Sequence, residues 1–147
     1  MNILVINGPN LNMLGVREPA IYGRGTYADL VAFINDAASR ADAEAEVFQS
    51  NHEGAIVDRI QSALGVFDAI VINPAAYTHT SVAILDALKA VALPVIEVHL
   101  SDISAREDFR RRSYVSAAAE ATIAGKGFEG YAEAVRRLAE KYGRGEK

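Results

Sequence analysis

Apolar positions along the chain fall into two alternating rhythms. Short β-branched runs, buried on both sides by pattern, occur at Ile3–Asn7, Ala45–Ser50, Ala69–Asn73, Pro94–Val98 and Ala121–Ala124. Between them the apolar residues recur at helical spacing. Leu30, Val31, Ile34, Ala37, Ala38 and Ala41 form one face, and Ile56, Val57, Ile60, Ala63 and Leu64 a second. Ile84, Leu85, Leu88 and Val91 form a third. Phe128, Tyr131, Ala132, Val135, Leu138, Ala139 and Tyr142 form the last and cleanest. Thr26 and Thr80 stand where helix N-caps are expected.

Five strands alternating with helices predict a parallel sheet covered on both faces, and five are too few to close an eight-stranded barrel. The expected fold class is therefore α/β, a single domain over residues 1–147 with a flavodoxin-like open five-stranded parallel sheet. Its 147 residues suit one domain, half of them are hydrophobic, and there is no repeat or linker. Cysteine is absent, which removes disulfides, thiolate nucleophiles and Cys-ligated metal. A formal charge of −4 argues against a phosphate-backbone ligand despite the run Arg110-Arg111-Arg112. No apolar run approaches the roughly 18 residues of a membrane span, and Met1–Asn7 lacks the features of a signal peptide. The expectation is a cytoplasmic domain that engages neither nucleic acid nor membrane.

Ligands of such sheets bind beyond the carboxyl ends of the strands, and polar residues crowd that rim. Strand 1 runs into Asn7-Gly8-Pro9-Asn10, strand 2 into Asn51-His52-Glu53, strand 3 into Asn73, and strand 4 into Glu97 and His99. All three histidines, His52, His79 and His99, follow strand ends. Residues 8–25 lack hydrophobic period, and a loop of that length suggests a functional lid carrying Arg17 and Tyr22, anchored by Leu11, Met13, Leu14 and Ile21. Glu97 and His99, two apart on a strand, share a face, so the carboxylate can orient the imidazole as a general acid. Arg17 could stabilise a Tyr22 phenolate as a base. Arg106 and Arg110, spaced i, i+4, are expected on one face of a short helix. With Leu100-Ser101 they suit a carboxylate or hydroxyl-rich substrate. The run Gly125-Lys126-Gly127-Phe128-Glu129-Gly130 matches G-x-G-x-x-G, but only seventeen residues follow it, too few for a dinucleotide site. A tight strand-to-helix turn is expected instead. Lys89, Lys126, Lys141 and Lys147 fall on helix, turn or tail, which disfavours imine chemistry.

Several blocks of the chain resemble the type II 3-dehydroquinate dehydratases. They are Ile6-Asn7-Gly8-Pro9-Asn10-Leu11-Asn12-Met13-Leu14-Gly15, Arg17-Glu18-Pro19, Tyr22-Gly23, Gln49-Ser50-Asn51-His52-Glu53-Gly54, Asn73-Pro74, Thr78-His79-Thr80-Ser81, Glu97-Val98-His99-Leu100-Ser101 and Ala105-Arg106-Glu107 with Phe109-Arg110. The resemblance implies dehydration of 3-dehydroquinate to 3-dehydroshikimate, in aromatic biosynthesis or in quinate breakdown, without metal or cofactor. It implies Tyr22 as base beside Arg17, and His99, held by Glu97, as acid. Asn10 would stabilise the enolate, and Asn73, His79, Leu100, Ser101 and Arg110 would hold the substrate. Arg106 matches a family arginine near the lid. Asp86, on the polar side of its helix, would complete a neighbouring subunit's site in a dodecamer, a tetramer of trimers. The family commonly has Asn at Asp102, His at Ser104 and Gly at Ala75. The added carboxylate is expected to weaken anion binding and the Ala75 methyl to crowd its loop. The rival reading is a non-catalytic flavodoxin-like module that binds a small anion.

Overall fold

The computed structural model describes residues 1–16 and 25–143. Strands β1 (Asn2–Asn7), β2 (Glu44–Gln49), β3 (Ala69–Asn73), β4 (Val95–His99) and β5 (Ala121–Ala124) form one sheet in the order β2-β1-β3-β4-β5. Every pairing is parallel, with Ile3 opposite both Ala45 and Ala69, and Ile96 opposite Ala121. The expected open α/β sheet is observed, and its order is that of flavodoxin-like folds. Helices α1 (Tyr27–Arg40), α2 (Glu53–Ser62), α3 (Val82–Val91) and α4 (Glu129–Tyr142) cover it.

Period-two alternation splits the strands between two cores. Ile3, Val5, Ala69, Val71, Ile96 and Val98 pack against α1 and α4, through Leu30, Ile34, Tyr131, Val135 and Leu138. Leu4, Ile6, Ile70, Ile72 and Val95 face α2 and α3, through Ile56, Ile60, Ile84 and Leu88. The continuous apolar reading of β1 and β3 follows from this double burial.

Several expectations shift. Strand β4 begins one residue later than Pro94 and ends on His99, and β2 begins and ends one residue earlier. Thr26 caps α1 through a reciprocal capping box with Asp29. Thr80 caps nothing: Ser81 is the N-cap of α3, its hydroxyl accepting from Ile84 N–H at 2.9 Å. Leu64 lies beyond the end of α2 and is 62% exposed, because the chain leaves the helix before the apolar stripe would bring it round again. The 8–25 segment opens with a 3₁₀ turn at Leu11–Met13, and Leu11 and Leu14 are buried anchors as expected. Met13 is exposed and anchors nothing, while Arg17, Ile21 and Tyr22 lie outside the described residues.

The glycine run before α4 is the tight turn its length required. Gly125 and Gly127 take φ of +81° and +58°, and a Cβ on Gly130 would sit 3.3 Å from Val98 Cγ1. At Gly130 the missing side chain lets the first turn of α4 approach Val98 closely.

Candidate active site

The carboxyl ends of β1, β3 and β4 converge on a cleft of about 160 Å³, beside the point where strand order reverses. Asn10, Asn73, His79, His99, Leu100, Ser101, Arg106 and Arg110 all line it. These are eight of the ten expected site residues that the described chain contains. Of the other two, Glu97 is buried outside the lining and Asp86 is exposed on α3; His52, the remaining histidine, also lies outside the cleft. Among the described residues no carboxylate lines the cleft, while two arginines do. A cleft of that character favours an anion of small-molecule size.

Polarity enters where the alternating strand pattern would otherwise place core residues. Asn7 and Asn73 point to the α4 side, and the Tyr131 hydroxyl joins them. It accepts from Asn73 Nδ2 at 2.9 Å and donates to Asn7 Oδ1 at 2.7 Å. All three are buried. The Asn73 Oδ1 accepts from Ala75 N–H at 3.1 Å, so Asn73 is held at both ends of its amide, with a second N–H left to serve the cleft. Tyr131 looked like one more member of an apolar stripe; only the fold gives its hydroxyl two buried partners. Burial pushes it above the usual phenol range, and burial likewise raises Tyr27, whose hydroxyl accepts from Asn7 Nδ2.

On the opposite face, Glu97 and His99 meet as their spacing requires. Glu97 is fully buried, and one of its carboxylate oxygens, Oε2, is bound to His99 Nε2. That oxygen also accepts from Thr78 Oγ1 at 2.8 Å and Ser113 Oγ at 2.7 Å. The other oxygen accepts from Ser116 Oγ at 2.6 Å and Thr122 Oγ1 at 3.3 Å. Burial alone would raise this carboxyl. The bond to His99, the histidine's charge and the surrounding hydroxyls outweigh burial and pull Glu97 down to about 2. An ionised carboxylate on Nε2 fixes the ring's orientation, stabilises positive charge on it, and leaves Nδ1 to act in the cleft that His99 lines. The hydroxyls were not expected as part of the site. Thr78 adjoins His79 in the Thr78-His79-Thr80-Ser81 stretch, but Ser113, Ser116 and Thr122 carry no local signal.

The remaining lining is set by short-range geometry. His79 holds the Arg112 carbonyl through Nδ1 at 2.6 Å, which leaves Nε2 for the cleft. Asn10 has left-handed backbone (φ 71°), and its N–H donates to Asn51 Oδ1 at 3.0 Å. Gln49 ties this corner together, donating to Asn51 Oδ1 and to the Gly8 carbonyl, both at 3.1 Å. Gly8 cannot bear a side chain: a Cβ there would lie 2.3 Å from the Pro74 carbonyl oxygen. Arg106 and Arg110 do not share a helix. They end two separate 3₁₀ turns, Ile103–Ala105 and Asp108–Arg110, because Arg106 itself is extended (φ −104°, ψ −166°). Both still reach the cleft. Arg110 lies beside Glu107, with 2.8 Å between Nε and Oε1, and its guanidinium carbon is 5.1 Å from the Phe109 ring centroid.

Two sequence departures read differently in three dimensions. Asp102 does not line the cleft; its Oδ1 accepts from Ser104 N–H at 3.0 Å and from Ser104 Oγ at 2.7 Å. The carboxylate caps the first 3₁₀ turn, and these bonds hold it below its ordinary value. Ala75 has φ of 54°, so its cost lies in left-handed backbone rather than in crowding by the methyl.

Residues 1–139 match the family described as Dehydroquinase class II. The chain is 59% identical to the catabolic 3-dehydroquinase of Verticillium alfalfae, over 90% of this chain and 89% of that one. It is 53% identical to the 3-dehydroquinate dehydratase of Endomicrobium trichonymphae, over 92% and 95%. The type II dehydroquinase of Butyrivibrio crossotus superposes with a TM-score of 0.92 at 51% identity, covering 94% of this chain and 97% of that structure. With the family model matched over residues 1–139 and the fold superposing over nearly the whole chain, the chain belongs to the class II dehydroquinase family.

Proposed function

We propose that this chain dehydrates 3-dehydroquinate to 3-dehydroshikimate by anti elimination through an enolate. The reaction takes a proton from C2 of a β-hydroxy ketone, expels the C1 hydroxyl as water, and leaves a conjugated enone. It needs a base, an acid for the departing hydroxyl, and stabilisation of the charge that develops between the two steps. The observation that carries this reading is the buried Glu97 carboxylate bound to His99, at the edge of a cleft lined by two arginines and no carboxylate among the described residues.

In this reading His99 delivers the proton to the leaving hydroxyl, with Glu97 balancing the charge on the ring. Tyr22 is the base, its phenolate favoured by Arg17; both lie outside the described residues. Tyr27 and Tyr131, held protonated by burial, do not compete for that role. Asn10 stabilises the enolate from its tethered position on the rim. The backbone of Leu100 and Ser101, with Arg110, takes the carboxylate, while Asn73 and His79 take hydroxyls and Arg106 sits near the lid. No cofactor is required, since an α-carbonyl proton and a β-hydroxyl suffice. A homo-oligomeric assembly, a dodecamer built of trimers, places Asp86 against a neighbouring site. The same elimination serves a biosynthetic or a catabolic route; one relative is named a catabolic 3-dehydroquinase and another simply a 3-dehydroquinate dehydratase.

The test is growth of enone absorbance from 3-dehydroquinate with folded protein and no metal or cofactor added. Tyr22→Phe is expected to lower kcat by several orders of magnitude, and His99→Ala by about 10²–10⁴-fold. Borohydride with substrate is expected to leave activity intact, since no lysine imine forms. Absent turnover would support a binding module instead, and irreversible borohydride inactivation would replace the mechanism.

A further inference from the structure

The segment between Arg110 and β5 has no part in the assigned chemistry, yet it touches two of the side chains that perform it. The Arg112 carbonyl accepts from His79. One residue on, Ser113 Oγ lies 2.7 Å from Glu97 Oε2 and 2.6 Å from Thr78 Oγ1. Tyr114 N–H donates to the Thr78 carbonyl at 2.8 Å. Ser116 Oγ donates to the other Glu97 oxygen at 2.6 Å, and Ser116 N–H donates back to Ser113 Oγ at 3.2 Å. Val115, between them, is fully buried in the core on that face. Thus five consecutive residues hold the 78–79 turn by backbone and hydroxyl bonds, and hold the carboxylate behind His99 by two serines.

We infer that Arg112–Ser116 is a positioning strap, in which Ser113 and Ser116 orient the Glu97–His99 pair while the Arg112 carbonyl sets the ring of His79. The inference rests on the dehydratase reading for its kinetic consequence only. A buried carboxylate cannot draw on water to satisfy its lone pairs, so its position follows its protein donors. Each serine supplies one donor, one to each oxygen, and the pair fixes the carboxylate plane against Nε2. Because the same strap is zipped to Thr78, a displacement of Ser113 moves the His79 wall as well. Neither serine touches the cleft.

Ser113→Ala and Ser116→Ala, each in the full chain, test this with two independent readouts. Loss of one hydrogen bond to a charged group corresponds to a change of about tenfold in an equilibrium or a rate. Both variants are therefore expected to lower kcat about tenfold. Ser113→Ala is also expected to raise KM through His79, and Ser116→Ala to leave KM near its original value. In carbon NMR of the Glu97 carboxyl, the titration midpoint is expected to rise from about 2 by about 1–2 pH in either variant. A merely structural role would lower Tm without moving kcat or that midpoint. Activity within about twofold of the original protein, with an unmoved Glu97 midpoint, would overturn the strap. Should Ser113→Ala fail to fold, Ser116→Ala, whose site is half-buried, decides alone. If the unaltered protein does not turn over 3-dehydroquinate, the functional reading falls, while the carboxyl titration still decides the strap.

Discussion

Glu97 concentrates the cost and the use of burying a charge. Alone, a carboxylate at that depth would be neutral; here five side chains make ionisation the lower-energy state. Its folded value near 2 lies below the ordinary 4.5. The unfolded chain therefore binds the proton more readily, and Glu97 stabilises the fold fully above about pH 4.5. That contribution drains away as pH falls towards about 2. Glu97→Gln is expected to cost about 3–5 kcal/mol at neutral pH, because His99 and the hydroxyls are left facing a neutral amide. It is also expected to flatten the acid limb of stability. Urea denaturation between pH 2 and 7 checks both; an unchanged acid limb would show that other carboxylates control it. The pair itself was legible from its spacing, because two residues apart on a strand is one face. The hydroxyl partners were not, since they come from three other segments.

At the level of elements, the strand ends decide the site. The central strands β1 and β3 keep an apolar interior up to their last residues, Asn7 and Asn73, whereas β4 turns polar on one face at both Glu97 and His99. The turn after β3 shows how tightly those ends are constrained. Gly8 packs against Pro74, Ala75 N–H donates to Asn73 Oδ1, and Ala75 itself takes left-handed φ as the chain leaves the turn. Ala75→Gly is expected to stabilise the protein by about 0.5–1 kcal/mol by relieving that backbone, read as a higher urea midpoint at unchanged m-value. A lower midpoint would mean that the methyl's packing against the core outweighs the strain. The two 3₁₀ turns after β4 are the opposite case. An i, i+4 spacing promised one helix, but extended backbone at Arg106 breaks it. The arginines reach the same cleft by tertiary placement instead.

For the whole molecule, the two cores hold the sheet between four helices and leave the cleft at the switch point. Asp86 stands apart from that cleft, exposed on α3. If subunits share sites, Asp86→Ala is expected to lower kcat while Tm and the sedimentation coefficient stay constant, because an exposed helical aspartate carries little of the stability. Equal kinetics would remove the intersubunit role. No helix among the described residues is long and apolar enough to cross a membrane.

The sequence by itself determined the alternation of strands and helices, the parallel sheet, the crowded polar rim and the pairing of Glu97 with His99. These follow from periods of two and 3.6, which are local properties of the chain. Tertiary structure alone decided that Tyr131 bridges Asn7 and Asn73, and that Ser113 and Ser116 serve Glu97; it left Asp102 at the surface, capping a 3₁₀ turn through Ser104. It also decided that Arg106 and Arg110 meet without a helix. Partners distant along the chain are set by which surfaces pack, and a hydroxyl carries no sign in sequence of the buried acceptor it will meet.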